Sequence, residues 1–159
     1  MIEIQRVSTA DALAAARDLI RAHLEAHSKV HDAAATGALL AALPAPYIPP
    51  AGGLWLAWDG AEAVGCVALH ALAPDIAEVK RMYVRPVNRG RGVARGLGER
   101  VIAEARLRGY ARLRLGTLTT MLAAQNLYMS LGFQPIPPYR GVELGDTLFY
   151  ELDLGTLAV

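Results

Sequence analysis

Apolar residues change their spacing along this chain, from every second position to every third or fourth, and the changes mark out its elements. In "IEIQRV" (2–7), Ile2 and Ile4 alternate with polar residues, which predicts a strand. Ser8 or Thr9 is placed to cap a helix with Asp11 in its first turn. Leu13, Ala16, Ile20 and Leu24 then recur at helical spacing to about His27. A second helix is predicted from Asp32 to Leu43 and stops at Pro44. "PAPYIPPAGG" (44–53) excludes a helix and reads as a surface loop. "GLWLAWD" (53–59) and "AVGCVALHAL" (63–72) flank Asp59-Gly60 and predict a hairpin. "AEVKRMYV" (77–84) is a third strand that Pro86 ends. The longest helix is predicted over 91–108, with Val93, Leu97, Val101 and Ala105 as its buried stripe and Gly109 at its C-terminal cap. "ARLRLGT" (111–117) is a strand and "MLAAQNLYMSLGF" (121–133) a short helix closed by Gly132. Residues 133–136 and 147–154 supply the last strands, joined through Pro137-Pro138 and a loop over 139–146. The order is β-α-α-β-β-β-α-β-α-β-β, an α/β pattern without repeat or linker, so 1–159 is expected to be a single domain.

Composition narrows the function classes. The 159 residues are 53% hydrophobic and 19% charged, which excludes disorder. Net charge is only +1, from 16 basic and 15 acidic residues, so a nucleic-acid surface is not expected and any basic patch must be local. One cysteine, Cys66, excludes an intrachain disulfide, suits a reducing, cytoplasmic setting, and is expected in the core. The N-terminus has no basic-then-apolar signal pattern, and no apolar run is long enough to span a membrane. Trp55 and Trp58 should face opposite sides of their strand, because their spacing is odd.

The local basic patch is "NRGRGVARGL" (88–97), where a strand ends and the longest helix begins. The first N–H groups of a helix have no internal partner and carry partial positive charge, so such a turn favours an anion. Gly90 and Gly92 remove the Cβ atoms that would hold phosphate oxygens away. Arg89, Arg91 and Arg95 can add charge-assisted contacts. A Walker A loop needs Gly-Lys-Ser/Thr, which is absent. A dinucleotide fingerprint needs a third glycine where Arg95 stands, and Gly96 is one residue late. Arg89-Gly90-Arg91-Gly92-Val93-Ala94 does satisfy Arg/Gln-x-x-Gly-x-Gly/Ala. On the loop alone, a basic helix start after a tight turn stays open.

The flanks extend that match. "EVKRMYVRPVNRGRGVARGLGERVIAEARLRGY" resembles the strand–loop–helix core of the GNAT (GCN5-related) N-acetyltransferases, and "AAQNLYMSLGF" resembles their second fingerprint, Ala-x-x-Leu-Tyr-x-x-x-Gly-Phe. The resemblance covers 77–133 in motifs and 53–154 in strand order. It implies a mixed, mostly antiparallel sheet of about seven strands flanked by about four helices, with splayed central strands. It implies acetyl-CoA as cosubstrate, with Met82, Tyr83 and Val84 along the pantetheine arm and Arg89, Gly90, Arg91, Gly92, Val93, Ala94 and Arg95 at the pyrophosphate. An amine then attacks the acetyl carbonyl directly in a ternary complex, without metal or covalent intermediate, and a backbone N–H at the splay stabilises the oxyanion. Tyr128 matches the residue that protonates the departing thiolate, or it is a core tyrosine. Glu78 is the candidate base, directly or through water, or a surface carboxylate paired with Lys80 or Arg81.

Three positions depart from the pattern. Met121 stands where family members often carry Asn, seven residues before the tyrosine, and Asn126 is out of register. "LGTLTTM" (115–121) resembles a subgroup stretch with Asp and Pro where this chain has Gly116 and Thr119. The acceptor is expected to be a small-molecule primary amine in a pocket shaped by 23–52 and 137–146, with Tyr47 and Tyr139 as lining candidates. No local cluster of acids suggests a polyamine. Acetylation of a protein N-terminus or lysine is the alternative within enzymes. A non-catalytic acyl-CoA-binding module is the alternative outside them: Glu78 and Tyr128 argue against it, Met121 and Gly116 for it. By analogy the chain is expected to form a homodimer. His23, His27 and His31 share one face if a helix runs through Lys29, a spacing that zinc accepts; a solvated or pocket-facing edge is the reading adopted.

Overall fold

The computed structural model describes residues 1–27, 33–141 and 146–155. The elements follow the predicted order: β1 (Ile2–Arg6), α1 (Ala10–Ala26), α2 (Ala33–Ala42), β2 (Gly53–Asp59), β3 (Glu62–Ala73), β4 (Ile76–Val84), α3 (Val93–Leu107), β5 (Arg112–Leu118), α4 (Leu122–Ser130), β6 (Gln134–Ile136) and β7 (Thr147–Asp153). They form one seven-stranded sheet in the order β1-β2-β3-β4-β5-β7-β6. All pairs are antiparallel except β4 with β5.

Each face of the sheet carries its own core. On one face, α3 and α4 cover Val67, Leu69, Val79, Leu113 and Leu115 with Leu97, Val101 and Tyr128. On the other, Leu19, Ile20 and Leu24 of α1 and Leu40 of α2 pack on Leu54, Leu56 and Cys66. Burying each such leucine or isoleucine is worth roughly 1.5–3 kcal/mol, so the two helical stripes hold the sheet between them. Trp55 belongs to the first core and Trp58 packs against the second, as their odd spacing requires. Burial of the Cys66 thiol pushes its pKa up to about 12, and it donates to the Arg81 carbonyl at 3.2 Å.

Helix ends follow local chemistry. Thr9 caps α1, its Oγ1 accepting from the Ala12 N–H at 3.1 Å. Helix α3 starts two residues later than its apolar spacing suggests, because Gly90 and Gly92 both sit at φ +78°, outside helical geometry. The Pro-rich 44–52 segment is less peripheral than expected. Tyr47 is buried in the second core. Tyr110 Oη and Arg108 reach across to the carbonyls of Ala51, Pro50 and Gly52 and tie the segment to the end of α3. Proline stopped α2 but did not send the chain into solvent.

Candidate active site

The central feature is a parting of two strands. β4 and β5 pair only through Ile76–Glu78 and Arg112–Arg114. Beyond that point β5 stays on β7, while Val79–Val84 stay on β3. A bulge on β4 accompanies the parting. Register passes from Ala68↔Lys80 to Cys66↔Tyr83, so Arg81 and Met82 together oppose Val67. Arg81 takes φ +57°, a left-handed conformation that costs a residue with Cβ about 1 kcal/mol or more. It is held there by the Cys66 bond to its carbonyl and by its own Nε, which donates to Tyr47 Oη at 3.0 Å. From Val79 onward, the edge of β4 that faces β5 has no ladder partner. Its N–H and C=O groups open onto a cleft of about 1030 Å³ between the strands.

The glycine–arginine turn forms one mouth of this cleft. Gly90, Gly92, Val93 and Ala94 line it, and the first backbone bond of α3 runs from Gly96 N–H to Gly92 O at 3.0 Å. The N–H groups just before it therefore have no carbonyl of the helix to meet. No heavy atom lies within 4 Å of where a Cβ on Gly90 or Gly92 would stand, so these glycines serve the backbone conformation and the open space in front of it. The three arginines divide. Arg89 lines the cleft, with Nε on the Val84 carbonyl at 3.0 Å and its guanidinium 5.8 Å from the Tyr83 ring. Arg95 also lines it and bonds Ser130 at 2.6 Å. Arg91 instead turns to Asp59 at 3.1 Å and is not part of the lining. Its side chain therefore meets the β2 carboxylate, while its backbone stays at the turn.

Tyr128 stands on the wall formed by α4. It is buried, packs edge-on against Phe133 at 5.7 Å, and lines the cleft. Burial alone raises its pKa well above the ordinary phenol value, so the hydroxyl keeps its proton. Met121, in the place of the expected Asn, lines the cleft beside Thr117, whose Oγ1 lies 3.9 Å from Sδ. Asn126 is exposed and stands apart from the site. Gln125 Nε2, bonded at 3.0 Å to the carbonyls of Leu118 and Thr119, secures the turn from β5 into α4.

Glu78 sits where the strands part, almost wholly buried and behind the cleft wall. His70 Nε2 is 2.8 Å from its Oε1 and Lys80 Nζ 3.7 Å; Tyr139 Oη and Arg140 Nε, the latter at 3.1 Å, donate to Oε2. Burial pushes this carboxyl up, but those hydrogen bonds and charges outweigh it and hold the group at about 2. Its partners correct the alternative reading of a surface carboxylate: it is buried, and Lys80, not Arg81, shares it. A carboxylate so saturated with donors is a weak base, and its geometry is that of an anchor. Tyr47 and Tyr139 do not line the cleft; they flank this network, Tyr47 through Arg81 and His70, Tyr139 through Glu78.

Sequence reasoning named Lys80 only as a partner of Glu78 and did not single out His70 or Arg140. A signal existed for His70, because a β3–β4 hairpin centred on Pro74 sets it opposite Glu78, the observed register. None existed for Arg140, which arrives from a loop after two prolines. His23 and His27 line the cleft with rings 5.0 Å apart, while His31 lies outside the described residues. Burial, with the Arg89 charge added, lowers the His27 pKa. Among the described residues no group of three or more His, Cys, Asp or Glu side chains is placed to hold a metal, and no helix is long and apolar enough to cross a membrane.

An open mixed sheet with a glycine–arginine turn at the mouth of a strand parting is the class that this fold and site define. Comparison with known proteins gives it a family. The profile of the acetyltransferase (GNAT) family matches residues 14–133. An uncharacterized N-acetyltransferase of Schizosaccharomyces pombe is 36% identical over 110 residues, 68% of each chain. N-acetylaspartate synthetase of Danio rerio is 39% identical over 99 residues; these are 61% of this chain but only 35% of that enzyme. A GNAT acetyltransferase structure from Staphylococcus aureus superposes with TM-score 0.81 at 21% identity, covering 98% of this chain and 100% of the other. An acetyltransferase of Salmonella typhimurium, solved with its cofactor acetyl-CoA, does so with TM-score 0.79 at 24% identity over 99% and 96%. The chain belongs to the GNAT acetyltransferase family and is an acyltransferase.

Proposed function

We propose that the chain moves the acetyl group of acetyl-CoA to the primary amine of a small molecule, by direct attack in a ternary complex. The observation that carries this reading is the glycine–arginine turn at one mouth of the β4–β5 parting, with Tyr128 on the wall between turn and apex. The Gly90–Arg95 backbone, Arg89 and Arg95 receive the pyrophosphate. The unpaired edge of β4 over Met82–Val84 takes the amides of the pantetheine arm. The acetyl carbonyl then lies towards the apex, where a free β4 N–H donates to the developing oxyanion.

The neutral amine adds to the carbonyl carbon, and its surplus proton leaves through water. Collapse breaks the C–S bond, and the sulfur departs as a thiolate. The Tyr128 hydroxyl, protonated because burial disfavours phenolate, donates to that sulfur as charge develops. Glu78 holds Tyr139, Arg140 and Lys80 at the acceptor end. The kinship with N-acetylaspartate synthetase, whose product is an acetylated small molecule, supports the choice of a small acceptor.

The test is single-turnover acetyl transfer, followed by thiol release, with an amine found by screening. Tyr128→Phe keeps the ring and its packing, so CoA affinity should hold while the chemical step slows by about 10²–10⁴-fold. Equal rates in the two proteins would remove Tyr128 from the reaction.

A further inference from the structure

We infer that the acceptor carries a carboxylate beside its amine, and that Arg140, with Lys80 and Arg81, forms the subsite that holds it. The inference rests on the N-acetyltransfer reading above and adds the class of amine. Its basis is an imbalance of charge. Among the described residues, the walls of the cleft carry five Lys or Arg side chains and no Asp or Glu. Arg89 and Arg95 belong to the phosphate turn. The other three, Lys80, Arg81 and Arg140, gather at the opposite end, where β4 and β5 part. One buried carboxylate, Glu78, stands behind them.

Elsewhere several arginines meet acids, while Arg17 and Arg85 donate to backbone carbonyls. Arg114 pairs with Glu151 at 2.7 Å, Arg91 with Asp59, and Arg100 and Arg108 with Glu104. At the acceptor end, Lys80 and Arg140 share one acid that also serves His70 and Tyr139. Arg81 sends its Nε to a neutral phenol. The crowding is felt at Lys80, whose pKa is lowered first by burial and further by Arg140 and Arg81, against the pull of Glu78. An anion is the missing member of this cluster, and a polyamine would be repelled from it.

The placement of Arg140 points to a planar anion. Nε is the nitrogen that bonds Glu78, so the terminal edge of the guanidinium is turned elsewhere. That edge lies over Gly116, where a Cβ would stand 2.7 Å from Nη2. Glycine at 116 thus makes room for the guanidinium at the wall of the cleft. The rings of Tyr139 and Phe149, 5.9 Å and 5.2 Å from it and packed on each other at 4.9 Å, support it from one side. A fixed guanidinium edge matches the two oxygens of a carboxylate. The same positive surroundings favour the neutral form of the attacking amine, a task for which Glu78 is poorly suited.

The experiment compares L-leucine, L-leucinamide, isopentylamine and O-phosphoethanolamine as acceptors under saturating acetyl-CoA. L-Leucine should exceed its amide and the bare amine by about tenfold or more in kcat/KM. Arg140→Gln should raise the KM for L-leucine about tenfold and leave the KM for acetyl-CoA unchanged, and Arg140→Lys should restore part of the loss. The inference is overturned if the amide matches the acid, if the phosphate compound is preferred, or if Arg140→Gln lowers kcat for all acceptors alike. Failure of every amine would instead strike the N-acetyltransfer reading. The subsite is then judged separately, by calorimetry of N-acetyl-L-leucine and its amide on the CoA-loaded protein. The acid should bind more tightly, by a margin that Arg140→Gln abolishes, and absent or equal binding overturns it.

Discussion

Two residues at opposite ends of the cleft show how one side chain, or its lack, sets local chemistry. Gly92 adopts φ +78° with open space before it. Gly92→Val must either leave that conformation, at about 1–2 kcal/mol, or place its branches where phosphate oxygens approach. CoA affinity measured by calorimetry should fall by well over tenfold, about 1.4 kcal/mol or more. Glu78 shows the opposite case, a side chain fixed by its partners. Its folded pKa, about 2, lies below the ordinary value of 4.5. The ionised form is therefore favoured by folding, by about 3 kcal/mol as an upper figure. That stability is complete above about pH 5 and is lost as pH falls towards 2, because the unfolded chain takes up the proton first. Urea unfolding between pH 7 and pH 3 should show this slope in the wild type and a shallower one in Glu78→Gln.

At the scale of elements, two glycines of similar sequence character differ because of what surrounds them. Gly52 ends the Pro-rich segment where it crosses β3. A Cβ there would come 2.2 Å from the Leu69 carbonyl oxygen, a backbone atom that cannot swing away. Gly52→Ala should cost about 2–4 kcal/mol in chemical denaturation, since either the segment or the strand must shift. Gly37 lies exposed within α2 with nothing within 4 Å of its missing Cβ. Gly37→Ala should stabilise the protein by up to about 1 kcal/mol, the difference in helix propensity. The same denaturation experiment checks both. Opposite signs are the expected outcome, and equal effects would mean that the Pro-rich segment is not held against β3.

For the whole molecule, the cleft runs between both cores, with α1 and α2 on one side and α4 on the other. A ligand that spans it joins parts of the chain that otherwise meet only through the sheet. Binding to the folded state alone stabilises by mass action, so CoA at about 100 times its Kd should add about 2.7 kcal/mol. For a chain of this length that is a rise in Tm of roughly 5–10 °C. Thermal unfolding with and without CoA measures it, and the Gly92→Val protein should show little of the rise. A full rise in that variant would put the phosphates somewhere other than the turn.

The sequence by itself determined the order of the elements, the buried stripes of α1 and α3, and the glycine turn at the start of α3. Those features depend on local rules: spacing of apolar residues, glycine at left-handed positions, and unpaired N–H groups at a helix start. Tyr128 and the glycine–arginine turn were legible because short contiguous motifs carry them. The tertiary structure alone decided where the strands part, because that follows from a bulge in which Arg81 takes a backbone conformation foreign to its residue type. It alone turned Arg91 to Asp59, buried Tyr47, and gathered His70, Lys80, Tyr139 and Arg140 around Glu78. Charge pairing acts through space between residues up to 62 positions apart, and no periodicity along the chain records it.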